Sequence, residues 1–274
     1  MASAPVGEKH QPTKEYQLQY RKEFMDHVGE EHKHKRGREN EEHQHGPTHT
    51  VYPDGCTDII FNFGDPMITK SPSYVNDHPV FIVGIMTTSI LTGTAGVQDL
   101  FGIRFKAGGM NKVIRNPMNE FTDQSLTIRE AQHQLPEDLY NRMLDSGGVE
   151  RALLVDKWLM SQVAVPSRLS VWEWCVDQVV RTHGNTRISR LAKEAAISEK
   201  QLERNFLLNV GVTPKQFSTI ISFCEAKQRL DCKPSALETL AWDLGYTDHA
   251  HFTKSFKRFA GITPSEYLKH RRAT

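Results

Sequence analysis

An internal repeat in the C-terminal half restricts the fold of this 274-residue chain more than any other feature. Leu202 and Phe252, Phe206 and Phe256, Gly211 and Gly261, Thr213-Pro214 and Thr263-Pro264, and Phe217 and Tyr267 all stand 50 residues apart. Leu191-Ala192 and Leu240-Ala241 stand 49 apart. Self-similarity of this kind points to one supersecondary unit used twice. The single residue of slippage falls in the turn before the later unit's second helix.

Each unit spells two short helices. In the first, Ile188, Leu191, Ala192 and Ala195 lay an apolar stripe at helical period, and a turn passes through Ala196 and Ile197. Ser198 then caps a second helix carrying Leu202, Phe206 and Val210. In the second unit the stripe is Leu237, Leu240, Ala241 and Leu244, Gly245 turns the chain, and Asp248 caps a helix bearing Phe252, Phe256 and Phe259. Gly211 and Gly261 close the second helices. Ala192 and Ala241 are small enough to stand where two helices cross closely. Residues 188–211 and 237–261 therefore read as helix-turn-helix units, a motif that presents its second helix to the major groove of DNA.

Between the units, "TPKQFSTIISFCEAKQRLDCKP" predicts a helix from about Pro214 to Asp231, with Phe217, Ile221, Cys224, Ala226 and Leu230 inward and Pro234 ending it. Such a helix is roughly 27 Å long. It would hold the two second helices at a spacing close to the ~34 Å between successive major-groove segments.

Residues 171–272 resemble the DNA-binding domain of the AraC/XylS transcription regulators, and "LAWDLGYTDHAHFTKSFKRFAGITPSEY" follows that family's signature closely. The resemblance covers over a third of the chain and implies a seven-helix, two-headed DNA reader. Spacing alone puts Glu199, Lys200, Glu203 and Arg204, and then His249, Ala250, His251, Thr253 and Lys254, on the solvent faces of the two second helices. The resemblance points to the same places: Lys200, Glu203 and Arg204 match base-contacting positions, as do His249, Ala250, His251 and Lys254. Arg204 and Lys254 can donate to guanine O6 and N7, Glu203 can accept from cytosine N4, and Ala250 can touch a thymine methyl. The plain alternative is a solvated helix face. Lys215, Lys257 and Arg258, with Lys269, Arg271 and Arg272, suit phosphates, which fix register without reading sequence.

From Thr50 the texture turns β-rich. "TVYPDGCTDIIFNFGD" sets a Pro-Asp-Gly turn before alternating residues, and the stretch 79–110 reads as three strands broken by glycines. Helices are expected around Met110–Asn116, Thr127–Gln134, Pro136–Leu144 and Val149–Met160. "YPDGCTDIIFNFG" and "FGIRFKAGGM" resemble the N-terminal domain of a subgroup of AraC-type regulators, a β-barrel-like module; Ala107-Gly108-Gly109 stands where those counterparts carry Pro-Gly-Gly. The expectation is an α+β, β-barrel-like sensor or dimerisation domain over 1–165, then an all-α DNA-binding domain over 166–274, hinged at Pro166. An effector pocket is expected where Cys56, Asp58, Phe61 and Arg104 approach one another, although an Arg–carboxylate pair there is also an ordinary structural arrangement.

The net charge of +1 hides an asymmetry: 17 basic against 11 acidic residues from Ser167 onward, and 17 against 22 before it. The basic half suits a nucleic-acid partner, and its excess is too modest for a sequence-independent DNA coat. No apolar run is long enough for a bilayer, and the N-terminus lacks signal-peptide order, so a cytoplasmic protein without a membrane partner is expected. The four cysteines have no C-x-x-C spacing and predict neither disulfides nor a zinc site. Six histidines crowd residues 27–49; among them His32, His34, His43 and His45 could chelate nickel, copper or zinc, or belong to a charged loop, and no cofactor is expected. A metal-responsive regulator is thus one alternative. A DNA reader fused to a repair or alkyl-transfer activity at Cys56 is another, disfavoured because Asp54 and Asp58 oppose a thiolate. No Ser-His-Asp order, phosphate loop or H-E-x-x-H appears, so the chain is not expected to be an enzyme. The reading is a sequence-specific transcription regulator whose partners are promoter DNA, a small-molecule effector, RNA polymerase and a second copy of itself. "VERALLVDKWLM" is the candidate dimer helix, although a Leu stripe of this kind is more often core.

Overall fold

The computed structural model describes residues 49–69, 78–94, 96–97, 99–131, 135–136, 138–162, 170–232 and 237–273. All of them lie within one compact unit. The N-terminal part is built from β1 (His49–Val51), β2 (Thr57–Asn62), β3 (Met67–Thr69), β4 (Val80–Val83), β5 (Ile90–Thr94), β6 (Leu100–Phe105) and β7 (Ser125–Thr127). They form two antiparallel sheets, in the orders β1-β5-β3 and β6-β2-β4-β7. The expected barrel-like module is therefore sheet-rich but open: among the described residues no strand pairing closes either sheet. Side chains alternate along a strand and directly paired residues share a face. Thr57, Ile59 and Phe61, opposite Phe105, Ile103 and Phe101, hence make one buried face of the larger sheet.

The three strands expected in 79–110 are β4, β5 and β6. One expectation fails nearby. In the described part of 127–134, where a polar helix is expected, Ser125–Thr127 instead pairs with β4, Val83 facing Ser125 and Phe81 facing Thr127, while 132–134 lie outside the described residues. A turn follows, in which Glu130 accepts from the Thr127 amide and the Thr127 hydroxyl accepts from the Glu130 amide. The unpaired edge of β4 needs backbone partners, and that need outweighs a weak local pattern.

Two helices return across the sheet, α1 (Leu139–Leu144) and α2 (Gly148–Gln162). Buried Arg151 pins α2: it forks onto Asp99 at 2.5 and 3.0 Å, donates from Nε to the Met143 carbonyl at 2.8 Å, and lies 4.0 Å over the Phe63 ring.

Among the described residues seven helices follow, the number implied by the family resemblance: α3 (Val171–Arg181), α4 (Ile188–Glu194), α5 (Glu199–Asn209), α6 (Pro214–Cys232), α7 (Leu237–Asp243), α8 (His249–Ala260) and α9 (Pro264–Ala273). Their stripes meet in one apolar cluster containing Leu202, Phe206, Phe217, Phe223, Phe252, Phe256 and Phe259. Phe223 of the connecting helix α6 lies 5.1 Å from the Phe256 ring and 5.2 Å from that of Phe259. The strut is thus packed into the second unit as well as the first, where Phe217 meets Phe206 at 5.9 Å. Ile221 and Cys224, expected inward, are half-buried; they pack against the helical core and also meet the loop between β1 and β2.

The sheet-rich part and the helices share this core, since Ile85 belongs to the cluster and Tyr52 and Ala107 pack on it. The Thr122 hydroxyl donates to the Gly211 carbonyl at 2.6 Å, and Lys112 pairs with Glu173 at 2.5 Å. Glu173 also completes a capping box with Ser170 at the start of α3. Burial pushes the Glu173 carboxyl up, but the Lys112 ammonium and the Ser170 amide and hydroxyl outweigh it and hold the group below the usual carboxylate range. A depressed carboxylate stabilises the fold above its unfolded-state pKa, and that contribution is lost as pH falls through the lower folded value. Glu173→Gln should therefore cost about 1 kcal/mol at neutral pH, and the gap from the parent should close on acidification. Urea melts across the acid range check this; a gap constant with pH would refute it.

Candidate nucleic-acid interface

The two helix-turn-helix units are built alike at the atomic level. Ser198 Oγ accepts from the Gln201 amide at 3.1 Å, and Asp248 Oδ1 accepts from the His251 amide at 2.7 Å, each satisfying an otherwise orphaned donor of the helix behind it. In the turns, Ala196 (φ 55°) and Gly245 (φ 76°) both take the left-handed conformation. The Ile197 amide then reaches the Ala192 carbonyl, and the Tyr246 amide that of Ala241, at 3.1 and 3.0 Å. The turns correspond at an offset of 49 and the caps at 50, so the inserted residue lies between Gly245 and Asp248. Ala192 and Ala241 are buried, as close helix crossing requires.

Behind each second helix lies the aromatic and aliphatic core; in front lie the polar residues. Lys200, Glu203 and Arg204 on α5, and His249, Ala250, His251 and Lys254 on α8, are all exposed, while Thr253 is half-buried. Lys215, Lys257, Arg258 and Lys269 are exposed too. Among the described residues none of Lys200, Glu203, Arg204 and Lys254 is in an ion pair, whereas Arg181, Arg190 and Arg229 are each held by a carboxylate four residues away. The fronts of α5 and α8 thus keep their charges unspent. A residue the sequence reading missed helps here: the Tyr246 ring meets His251 edge-on at 5.3 Å and its hydroxyl lies 3.1 Å from Ser255 Oγ, buttressing the start of α8. Its only signal was an aromatic residue inside a tight turn.

In the expected effector region the structure brings three of the four residues together. Arg104 on β6 pairs with Asp58 on β2 at 2.9 and 3.2 Å and with Asp54 at 2.8 Å, and the Cys56 amide donates to Asp54. Phe61, three positions from Asp58 on the same strand, points to the opposite, buried face. Burial, then the Asp54 charge, pushes the Cys56 thiol well up, with Arg104 only partly offsetting. A thiol so held is a poor nucleophile. His32, His34, His43 and His45, and the hinge at Pro166, lie outside the described residues. Among the described residues no three His, Cys, Asp or Glu side chains gather as metal ligands, and no helix is long and apolar enough to cross a membrane.

Comparison with known proteins agrees with this geometry. Residues 191–270 match a family described as a helix-turn-helix domain, and residues 36–127 match one described as a domain of unknown function. An uncharacterized HTH-type transcriptional regulator of Haemophilus influenzae is 32% identical over 82 residues, 30% of this chain and 28% of that protein. The HTH-type transcriptional activator RhaR of Salmonella dublin is 22% identical over 184 residues, 65% of this chain and 61% of its own. Among solved structures, ToxT of Vibrio cholerae matches with a TM-score of 0.46 at 12% identity, over 81% of this chain and 93% of that one. The alignments span less than two thirds of those two sequence relatives' own lengths. Two capped helix-turn-helix units on one buried strut define a two-headed DNA-binding domain. It resembles the DNA-binding domain of the AraC/XylS regulators, the family to which the C-terminal signature pointed.

Proposed function

We propose that the chain is a sequence-specific transcription regulator whose helices α5 and α8 enter successive major-groove segments of promoter DNA. The observation that carries this reading is the pair of exposed polar fronts, whose Lys200, Glu203, Arg204 and Lys254 are in no ion pair among the described residues, set on a single helix that is packed into both units. In it, Lys200, Glu203 and Arg204, and His249, Ala250, His251 and Lys254, face the bases, and Lys215, Lys257 and Arg258 hold phosphates.

The test starts with DNA fragments selected by the full chain from a random pool. Against the best of them, Arg204→Ala should cost about 1–3 kcal/mol and relax preference at one base pair, whereas Lys257→Ala should weaken all sequences alike and reduce the salt slope by about one. If Arg204→Ala leaves both affinity and base preference as they were, α5 does not read the groove.

The division into a sensor or dimerisation domain over 1–165 and a DNA-binding domain over 166–274 belongs to the same reading, as do a small-molecule effector near Asp58 and Arg104, contact with RNA polymerase and a cytoplasmic location. Self-association through α2 belongs to this reading too: Val149, Leu153 and Met160 are exposed on one face of that helix, which Asp156 shares. The relatives are transcription regulators, which with a Cys56 thiol pushed up by burial favours a non-enzymatic role.

A further inference from the structure

The loop from Tyr52 to Cys56, between β1 and β2, is tied on one side to the sheet and lies with the other on α6. On the sheet side its middle residue, Asp54, accepts from the Cys56 amide through Oδ1 at 2.9 Å and from Arg104 through Oδ2 at 2.8 Å. Arg104 uses its other edge on Asp58 of β2, so a single guanidinium spans loop and strand. On the helix side, the Cys224 thiol donates to the Pro53 carbonyl at 3.5 Å. Gly55 stands at φ +80°, where a Cβ would come within 3.2 Å of both Ile221 and Phe217. Tyr52 lies 6.2 Å from the rings of Phe223 on α6 and Tyr267 on α9, with the Lys227 ammonium 5.4 Å above it.

We propose that the Asp54–Arg104–Asp58 cluster is the fastening that seats this strap on α6, so that breaking the cluster frees the face of the helix that joins the two DNA-reading units. Strap and helix meet through a few apolar contacts and one thiol hydrogen bond, while the strap's own backbone is held by Asp54. Arg104 is 48% exposed on its side chain and Asp54 35%, so that limb of the fastening is open to solvent and its ion pair is of the reversible, screened kind, while Asp58, at 16%, is the inner anchor. A ligand or charge change there shifts a local opening equilibrium rather than unfolding the sheet. The proposal deepens the regulator reading by naming the contact through which the sheet acts on the DNA-binding domain; only its consequence for DNA rests on that reading.

The test is site-resolved maleimide labelling of Cys224 in the full-length chain without DNA. Arg104→Met removes the fastening and leaves in place Asp54, whose charge helps raise the Cys224 thiol. It should speed Cys224 labelling by about fivefold or more under conditions in which a urea melt shows the variant still folded. Gly55→Ala, which unseats the strap sterically, should do the same, and Lys112→Met, which cuts the separate contact to α3, should not. Wild-type labelling in Arg104→Met alongside faster labelling in Gly55→Ala would overturn the role of the cluster; wild-type labelling in both would overturn the strap. Affinity for the selected DNA should change at least about threefold in Arg104→Met. If labelling rises while affinity is unmoved, the coupling is refuted and the fastening stands; if the wild-type chain selects no DNA, the regulator reading fails independently.

Discussion

Replacing Phe256 by alanine should cost about 3–5 kcal/mol of folding stability, the range for emptying a buried aromatic site. Phe256 is 1% exposed, and its ring lies 5.1 Å from Phe223, 5.6 Å from Tyr267 and 6.0 Å from Phe252. Those neighbours belong to α6, α9 and α8 itself, so the cavity would open where the strut meets the second helix-turn-helix unit. Rings at these separations add interaction beyond their buried area. The loss should appear as a lower urea midpoint with little change in slope. DNA affinity should fall with it, although Phe256 presents nothing to solvent, because α8 would no longer be held at a fixed angle to α5. A cost under about 1 kcal/mol would mean that the site collapses freely and that this core does not set the geometry of the reader.

Arg151→Ala should cost about 2–4 kcal/mol, because removing a buried, hydrogen-bonded guanidinium strands its partners. Arg151 satisfies three acceptor atoms, both Asp99 carboxylate oxygens and the Met143 carbonyl, and covers the Phe63 ring. Asp99 keeps 44% of its side chain exposed and can recover water, which places the cost below that of a wholly buried pair. Arg151→Met keeps the stem's packing over Phe63 and should recover part of the loss. Equilibrium unfolding of the three proteins measures both steps; equal stability of the parent and Arg151→Ala would remove this residue as the anchor of α2.

The helical half was largely legible because its signals are local. A cap, an apolar residue every third or fourth position and a closing glycine lie within one turn of what they specify, and the repeat states each of them twice. Faces of the second helices follow from the same period, so the exposure of Arg204 and Lys254 could be read from spacing. The sheet half was legible in texture only. The period-two rule already set Phe61 against Asp58, three residues away on one strand, yet the partners of β2 and the strand at Ser125–Thr127 depend on pairings 19 to 48 residues distant. Arg151 sat unnoticed in a Leu-rich stripe because its carboxylate partner is 52 residues away.

By itself the sequence determined two capped helix-turn-helix units, the helix between them and the side chains on their fronts, since each follows from residues a few positions apart. Tertiary structure alone decided that the Tyr52–Cys56 loop lies on α6 and that Ile221 and Cys224 face it. The Cys224–Pro53 contact joins residues 171 apart. No local pattern encodes such a pairing; it exists only once two separately specified surfaces have been brought together and water has been driven from between them.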